Sequence, residues 1–225
     1  MPPDLARIGF DVPDGRLTFG PGDLDLWAEH LTWCYRLMGI RDGATIAVQD
    51  FGASPLSFLG SSALMPTLEA GVAERLKGRM ICLDASRERV TLTPALTQQV
   101  PLDALIVRGE VLGLLVEVSE KAGLKLGSEG PSIIIAFDQD PPPFAGDCRY
   151  LLHVESALLL APECRTCGYF HLRAGYYELA GEQVLNLRLA SARPHSLRLA
   201  EKPVREHCPS GRHDWGIRLS TGDPL

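Results

Sequence analysis

Thiols and imidazoles near the carboxyl-terminal end of the 225-residue chain have the types and spacing of metal ligands. They are Cys164, Cys167, His171, His207, Cys208 and His213. Zinc takes about four sulfur and nitrogen ligands in a tetrahedron, and the C-x-x-C turn of Cys164 and Cys167 supplies two of them from one short segment. The spacing predicts a metal site, although unconnected thiols and surface histidines are the alternative interpretation. No H-E-x-x-H helix or comparable general base accompanies the cluster, so a structural role is favoured over a catalytic one.

The second candidate is an acid in an otherwise apolar stretch, Glu155, together with its neighbour His153. An acid in such surroundings needs a partner, a ligand or solvent. We predict a ligand-binding site at this pair, the alternative being a solvated residue at a strand end. No catalytic residue is predicted, because the chain contains no nucleophile elbow, no G-x-G-x-x-G and no G-K-[ST].

The elements that must position these residues alternate between strand and helix in the first part of the chain. Apolar runs predict strands over residues 45–50, 79–86, 103–109 and 131–139. Helical spacing predicts helices over residues 23–39, with Asp23 as the N-cap, over 56–65 and over 109–123, and a short helix or turn over 95–103. This alternation is typical of an α/β fold with a mainly parallel sheet flanked by helices.

The run of residues 140–143, Asp-Pro-Pro-Pro, interrupts this pattern. Consecutive prolines remove backbone donors, so the run predicts a loop or boundary. The following sequence alternates as antiparallel strands do, with a turn at 180–182. We therefore expect an α/β subdomain over residues 1–145 and a smaller β-rich subdomain over 146–225. Cys208 would join two segments of this second part that share few other contacts.

Three residues with reactive side chains lie within apolar stretches and are predicted to be buried in the core. Cys34 and Cys82 are interpreted as buried thiols, since each lies within an apolar run. His30 lies on the apolar side of the first long helix, which predicts a packed, hydrogen-bonded core histidine.

The overall charge narrows the classes of partner. The chain has 22 Lys and Arg against 28 Asp and Glu, a net charge of −6, which argues against nucleic acid or an anionic membrane surface. No run approaches the ~18 apolar residues that span a bilayer. The first residues lack the basic start and apolar stretch of a secretory signal, so we expect a cytoplasmic protein.

The order of these motifs resembles the phenylacetate–CoA ligase-like branch of the adenylate-forming enzymes. That branch has a Y-G-x-T-E segment, an E-C pair, a G-Y/L-H strand and a C-P-C-G turn. Here Glu155 stands at the acid of the first segment, Cys164 at the cysteine of the pair, His171 at the histidine, and residues 208–212 at the turn. The resemblance covers most of residues 16–213.

The resemblance implies an α/β scaffold of the kind that binds an acyl-adenylate. It also implies a structural zinc held by Cys164, His171 and Cys208. Ser210 replaces one thiol of the family's turn, and Cys167 is the proposed substitute.

The sequence also departs from the family's pattern at the positions that hold ATP. Residues 9–15 stand where the family has a loop of small hydroxyl residues and glycines that cradles the pyrophosphate, and residues 151–154 replace its Tyr-Gly-x-Thr. The acid that holds the ribose has no counterpart near residues 197–201, and no lid with its catalytic lysine follows before Leu225. We therefore do not expect ATP or AMP as a cofactor.

These observations predict a shortened, degenerate relative of the ligases that binds without catalysis. Its ligand would be a small acyl or nucleotide-like molecule near His153 and Glu155, or a partner protein. One alternative is half of a split ATP-dependent carboxylate–CoA ligase, completed by a partner chain. The other is a zinc-stapled structural or assembly protein. Apolar surfaces left uncovered by the missing parts would favour self-association.

Overall fold

A computed structural model of the chain describes residues 8–12, 15–51, 54, 56–57, 70–124, 126, 131, 133–138, 148–154, 159–188, 196–199, 201–204, 208–209 and 215–217. The helices are α1 (Pro21–Leu37), α2 (Val72–Arg75), α3 (Arg87–Val90), α4 (Thr93–Gln99) and α5 (Gly109–Lys121). The strands are β1 (Ile8–Val12), β2 (Gly15–Phe19), β3 (Thr45–Asp50), β4 (Arg79–Asp84), β5 (Ala104–Arg108), β6 (Ile133–Asp138), β7 (Arg149–Val154), β8 (Leu159–Pro162), β9 (Phe170–Leu172), β10 (Tyr177–Leu179), β11 (Val184–Leu187), β12 (Ser196–Arg198) and β13 (Trp215–Ile217).

Some predictions fall on residues outside these ranges. They are Glu155, His207, His213, the run 140–143 and most of the helix expected over 56–65.

A six-stranded sheet of order β4-β3-β5-β6-β7-β8 forms the centre of the molecule. The first five strands are parallel and β8 is antiparallel to β7, so the predicted mainly parallel α/β fold is confirmed. β7 and β8 come from the predicted β-rich part but complete the central sheet. The division of the chain into an α/β subdomain over residues 1–145 and a β-rich subdomain over 146–225 stays a prediction.

Both faces of the sheet are covered, as the continuous apolar runs require. Alternate residues of one strand face opposite sides, so Ile46 and Val48 join the core on the α1 side, while Ala47 joins the core on the α5 side. The core on the α1 side of the sheet also includes Leu185 of β11 and Leu199, which directly follows β12. One continuous cluster of apolar side chains thus connects the central sheet with the small sheets.

Helix α1 starts earlier than the sequence predicted. Gly20 is the N-cap, and Pro21 and Asp23 both lie in the first turn, where Asp23 Oδ2 accepts a hydrogen bond of 3.0 Å from the Gly20 N–H. The prediction of Asp23 as the N-cap is wrong because proline, with its fixed φ and missing N–H, fits the first helical turn. Gly39, with φ of +91°, follows the helix as predicted.

The prediction of a buried thiol is confirmed for one of two cysteines. Cys34 is fully buried, as predicted, whereas Cys82 is exposed. The prediction for Cys82 is wrong because β4 is an edge strand of the sheet, and each of its residues is either exposed or half-buried.

The predicted core role of His30 is confirmed. Its Nε2 lies 2.9 Å from the Leu160 carbonyl oxygen and 3.1 Å from Tyr177 Oη. Burial lowers its pKa to about 4, so the imidazole is neutral. The contact joins α1 to β8 and β10.

Three small antiparallel sheets complete the described fold: β1-β2, β10-β11-β12 and β13-β9. The turn predicted at 180–182 is confirmed, since Gly181 has φ of +90° between the paired strands β10 and β11. None of the described helices has the length and apolar character needed to cross a membrane.

Candidate metal centre and ligand site

Four of the predicted metal ligands meet in one cluster. The ligand atoms of Cys164, Cys167, His171 and Cys208 all lie within 4.8 Å of one another. Cys164 Sγ is 3.7 Å from Cys208 Sγ, and Cys167 Sγ is 3.2 Å from His171 Nε2. Sulfur atoms that share a tetrahedral zinc at about 2.3 Å are separated by about 3.7 Å. The donor set and its spacing therefore fit a metal ion.

The C-x-x-C turn is shaped by its own backbone. The Cys164 N–H donates to the Tyr169 carbonyl at 2.9 Å, and the Gly168 N–H donates to the Cys164 carbonyl at 2.7 Å. Gly168 has φ of +72°, a conformation that glycine adopts without strain. This tight loop turns the thiols of Cys164 and Cys167 towards a common point.

The electrostatics of the turn favour a cation between the sulfurs. Burial acts to raise the pKa of Cys164, but backbone hydrogen bonds from Cys167 and Thr166, together with hydrogen bonds from the thiols of Cys208 and Cys167, outweigh it and hold the pKa below its ordinary value. Burial, with the neighbouring thiols of Cys208 and Cys164, raises the pKa of Cys167 to about 11. A second thiolate is thus unfavourable beside the first, and a bound divalent cation would reverse that repulsion.

Strand pairing brings the two halves of the cluster together. His171 lies on β9, and β13 pairs with it so that Gly216 is opposite His171. A Cβ on Gly216 would lie 2.9 Å from the Tyr169 side chain, so glycine permits this close approach. The expectation that the segments share few other contacts is wrong, because the β9–β13 ladder links them independently of Cys208.

The arrangement of donors indicates what the cluster can do. Cys164, His171 and Cys208 are buried and Cys167 is half-buried. Four protein donors fill a tetrahedral shell, which leaves no coordination position for substrate or water. The geometry therefore suits a structural metal, and metal binding itself stays a prediction.

Of the two residues predicted to bind a ligand, His153 and Glu155, only His153 lies within the described residues. Its side chain is buried in β7, its ring meets Phe137 edge-on at 5.8 Å, and its Nε2 has no hydrogen-bond partner among the described residues. Burial, and then the positive charge of Arg108, lower its pKa to about 3. His153 is therefore a neutral, buried imidazole with unused hydrogen-bonding capacity.

A buried ion pair that the sequence reading missed lies at the same edge of the sheet. Arg108 Nε donates to Asp50 Oδ1 at 2.8 Å, and Ser54 Oγ also donates to this carboxylate. The guanidinium packs over the rings of Phe51 at 5.2 Å and Phe137 at 5.5 Å. The sequence carries one signal of this ion pair, because the apolar runs of β3 and β5 each end in a charged residue.

The strand order makes this edge a place where ligands bind. β4 and β5 lie on opposite sides of β3, so the direction of the connections reverses between β3 and β5. Open α/β sheets bind ligands outside the carboxyl ends of the strands at such a reversal. Asp50 and Arg108 end those two strands, and His153 lies near the carboxyl end of β7. We refer to Asp50, Arg108, Phe137 and His153 as the carboxyl-edge site.

The fold is similar to that of solved acyl-CoA ligases. A 2-hydroxyisobutyryl-CoA ligase in an open conformation, in complex with 2-HIB-AMP and CoA, matches with a TM-score of 0.72 and 12% identity, covering 95% of this chain and 56% of that one. The same ligase in the postadenylation state with R3-HIB-AMP matches with a TM-score of 0.71 and 13% identity, covering 96% of this chain and 51% of that one. No protein-family model and no curated protein matches the sequence.

At this level of identity the likeness shows the fold alone, which is that of the adenylate-forming ligases. The chain spans about half the length of the ligase structures that it matches. The resemblance to the phenylacetate–CoA ligase-like branch stays a prediction.

Proposed function

We propose that this chain is a metal-stabilised, non-catalytic relative of the acyl-CoA ligases that binds a small acyl or nucleotide-like ligand at the carboxyl-edge site. The observation that carries the proposal is the buried Nε2 of His153, which has no hydrogen-bond partner among the described residues. Leaving such an atom unpaired costs about 1–3 kcal/mol. A ligand that hydrogen-bonds to it would recover that free energy.

The neighbours of His153 favour a ligand with both an apolar and an anionic part. Phe51 is 43% exposed at the end of β3, so its ring offers an apolar surface. Arg108 contributes positive charge, and its guanidinium is fixed between two rings and Asp50. A small carboxylic acid or its thioester combines these features, and Glu155, outside the described residues, is a further proposed contact.

Two segments support a role without ATP-dependent chemistry. Residues 9–15, which stand where the ligases have their phosphate loop, belong largely to the β1–β2 hairpin. Residues 197 and 198, near the expected position of the ribose acid, lie in strand β12. Adenylation depends on positioning a polyphosphate and neutralising its charge, and residues 9–15 contain neither consecutive glycines nor a small hydroxyl residue for this.

The metal that we propose for the Cys164, Cys167, His171 and Cys208 cluster is zinc in a structural role. Three soft thiolates and one imidazole form a donor set typical of closed zinc sites. The ion would fix the C-x-x-C turn and Cys208 to the β9–β13 ladder.

Isothermal titration calorimetry tests the proposed ligand site. The titrants are AMP, ATP, CoA and small carboxylic acids with their CoA thioesters, including 2-hydroxyisobutyrate, whose adenylate the matching ligase structures contain. We expect saturable binding of an acid or thioester that is weakened at least about tenfold in His153→Phe, the equivalent of about 1.4 kcal/mol.

Ser119→Ala is the matched control for this experiment. Ser119 Oγ in α5 is also buried without a hydrogen-bond partner among the described residues, but it lies away from the carboxyl edge of the sheet. Binding should be unchanged in this variant. Equal affinity of the wild type and His153→Phe for every titrant would exclude the carboxyl-edge site.

The second candidate is half of a split ligase. The chain matches 51–56% of the length of its ligase neighbours, and in this candidate a second polypeptide supplies the remainder. Affinity purification of the chain from its native cells tests this candidate. Thioester formation that requires both a co-purifying protein and this chain would favour it over the non-catalytic function.

A further inference from the structure

The thiols of the metal centre are arranged so that two of them could join covalently. Cys164 Sγ and Cys208 Sγ lie 3.7 Å apart, and both side chains are buried. A disulfide bond is about 2.0 Å long, so closing one would require an approach of about 1.7 Å. Cys167 Sγ is instead 3.2 Å from His171 Nε2.

We infer that the metal centre is also a reversible oxidation site, at which a hydroperoxide converts Cys164 and Cys208 into a disulfide and the metal ion is released. This inference rests on the metal centre proposed above. It adds a chemical modification and a class of reactant, hydrogen peroxide or an organic hydroperoxide, to a site otherwise described as structural.

The reaction balances with one peroxide for each pair of thiolates. The first thiolate attacks one oxygen of hydrogen peroxide, the O–O bond breaks, and hydroxide leaves as a sulfenic acid forms on sulfur. The second thiolate attacks that sulfur, the S–S bond forms, and the second oxygen leaves as hydroxide. Each sulfur loses one electron overall, and the two hydroxides take up protons from solvent to become water.

Disulfide formation would remove the metal because it removes two of the four donors, and two of the three that are anionic. The remaining donors, Cys167 and His171, are fewer than the four that a structural zinc site uses. The products are therefore the free ion and a covalent link between the segments that the ion had joined.

The surrounding structure keeps the two sulfurs close after the ion leaves. β9 and β13 remain paired, and Val204 and Gly216 exchange backbone hydrogen bonds of 2.8 and 2.9 Å on the far side of β13. These bonds tie Val204, four residues before Cys208, to the ladder that carries His171, and they do not depend on a metal ion. The restraint favours a link within one chain over a link between chains.

The test uses the purified full-length chain with its metal content measured before oxidation. After treatment with one equivalent of hydrogen peroxide, a chromogenic chelator measures the released zinc, and peptide mass spectrometry maps disulfides. We expect about one zinc ion released per disulfide and a peptide that links Cys164 to Cys208. A dithiol reductant with added zinc should restore the starting state.

Two variants make the assignment specific. Cys208→Ser should yield no such linked peptide, whereas Cys82→Ser, which removes the exposed thiol of β4, should release zinc as the wild type does. Because Cys208→Ser could fail to fold, peptide mapping of the wild type decides the outcome.

Two negative results have different meanings. A zinc-loaded chain that keeps its metal and thiols, forms sulfinic acid, or links Cys164 to Cys167 overturns the oxidation site alone. A chain that carries no metal before peroxide is added overturns the proposed metal centre and this inference with it.

Discussion

At the scale of single residues, the four candidate metal ligands show how much local spacing can predict. Cys164 and Cys167 could be predicted as a pair because a C-x-x-C turn depends on a few adjacent residues. Spacing alone left Cys208 as one candidate beside His207 and His213, and the family resemblance made it the preferred ligand, since the β9–β13 pairing that brings it near is a long-range contact. Asp50 and Arg108 escaped prediction for the same reason, because their contact depends on β3 and β5 being neighbours.

The first prediction concerns the metal ligands. Cys208→Ser should lose the metal that we propose and lower the free energy of unfolding by about 4 kcal/mol or more, because the unfolded chain has no assembled site and the free energy of metal binding therefore stabilises the folded state. Elemental analysis and urea denaturation measure the two effects. Cys82→Ser, at an exposed thiol, should stay within about 0.5 kcal/mol of the wild type. Full metal content in Cys208→Ser would contradict the assignment.

The second prediction concerns pH and the two buried histidines. Burial lowers the pKa of His30 to about 4, and burial with the charge of Arg108 lowers that of His153 to about 3. The unfolded chain, with histidines near pKa 6.5, therefore binds protons that the folded chain does not. Stability should be lost as the pH falls from about 6.5 towards 4, with a slope approaching about 1.4 kcal/mol per pH unit for each histidine.

Urea denaturation between pH 7.5 and pH 5 measures this slope. Protonation of the candidate metal ligands also changes the free energy of unfolding with pH, but it does so equally in all the chains compared. The quantity to compare is therefore the difference in slope between the wild type and each variant. His30→Phe and His153→Phe should each flatten the curve. Variant slopes equal to that of the wild type would show that neither histidine is responsible.

At the scale of elements, the apolar runs predicted β3, β5 and β6 well because these strands are buried on both faces and read as continuous hydrophobic segments. The exposure of Cys82 could not be predicted from the apolar run that contains it. It depends on β4 being at the edge of the sheet, and strand order is not a local property of the sequence. The start of α1 also differs from the prediction, because Pro21, two residues before Asp23, fits the first helical turn and makes Gly20 the N-cap.

The third prediction concerns the ion pair that joins the ends of β3 and β5. Arg108→Met leaves the buried Asp50 carboxylate without its cation and should lower the free energy of unfolding by about 3–5 kcal/mol. The double variant Asp50→Asn/Arg108→Met removes both charges and should recover a large part of that loss. Chemical denaturation of the wild type, of the single variants Asp50→Asn and Arg108→Met, and of the double variant gives the coupling free energy.

An exposed ion pair of the same chain provides the control. Arg36 Nη2 lies 2.8 Å from Asp42 Oδ1, but both side chains are about half exposed. Arg36→Met should therefore cost less than about 1 kcal/mol. Similar losses in Arg108→Met and Arg36→Met would mean that burial does not set the strength of the β3–β5 contact.

At the scale of the whole molecule, the fold class could be predicted because alternating strands and helices allow few arrangements. The assembly of the carboxyl-terminal strands was harder to predict, since β7 and β8 join the central sheet across the run 140–143. Function is further removed from sequence than fold, because one scaffold supports many activities. A partner protein and self-association accordingly stay predictions.

The central claim is that this ligase-like fold binds its ligand without activating it, and ATP–pyrophosphate exchange tests that claim most directly. The assay uses the purified, metal-loaded chain alone with ATP, magnesium, labelled pyrophosphate and a panel of small carboxylic acids. We predict exchange no faster than in a reaction without protein, for every acid. Exchange that depends on both the chain and one of the acids would contradict the account.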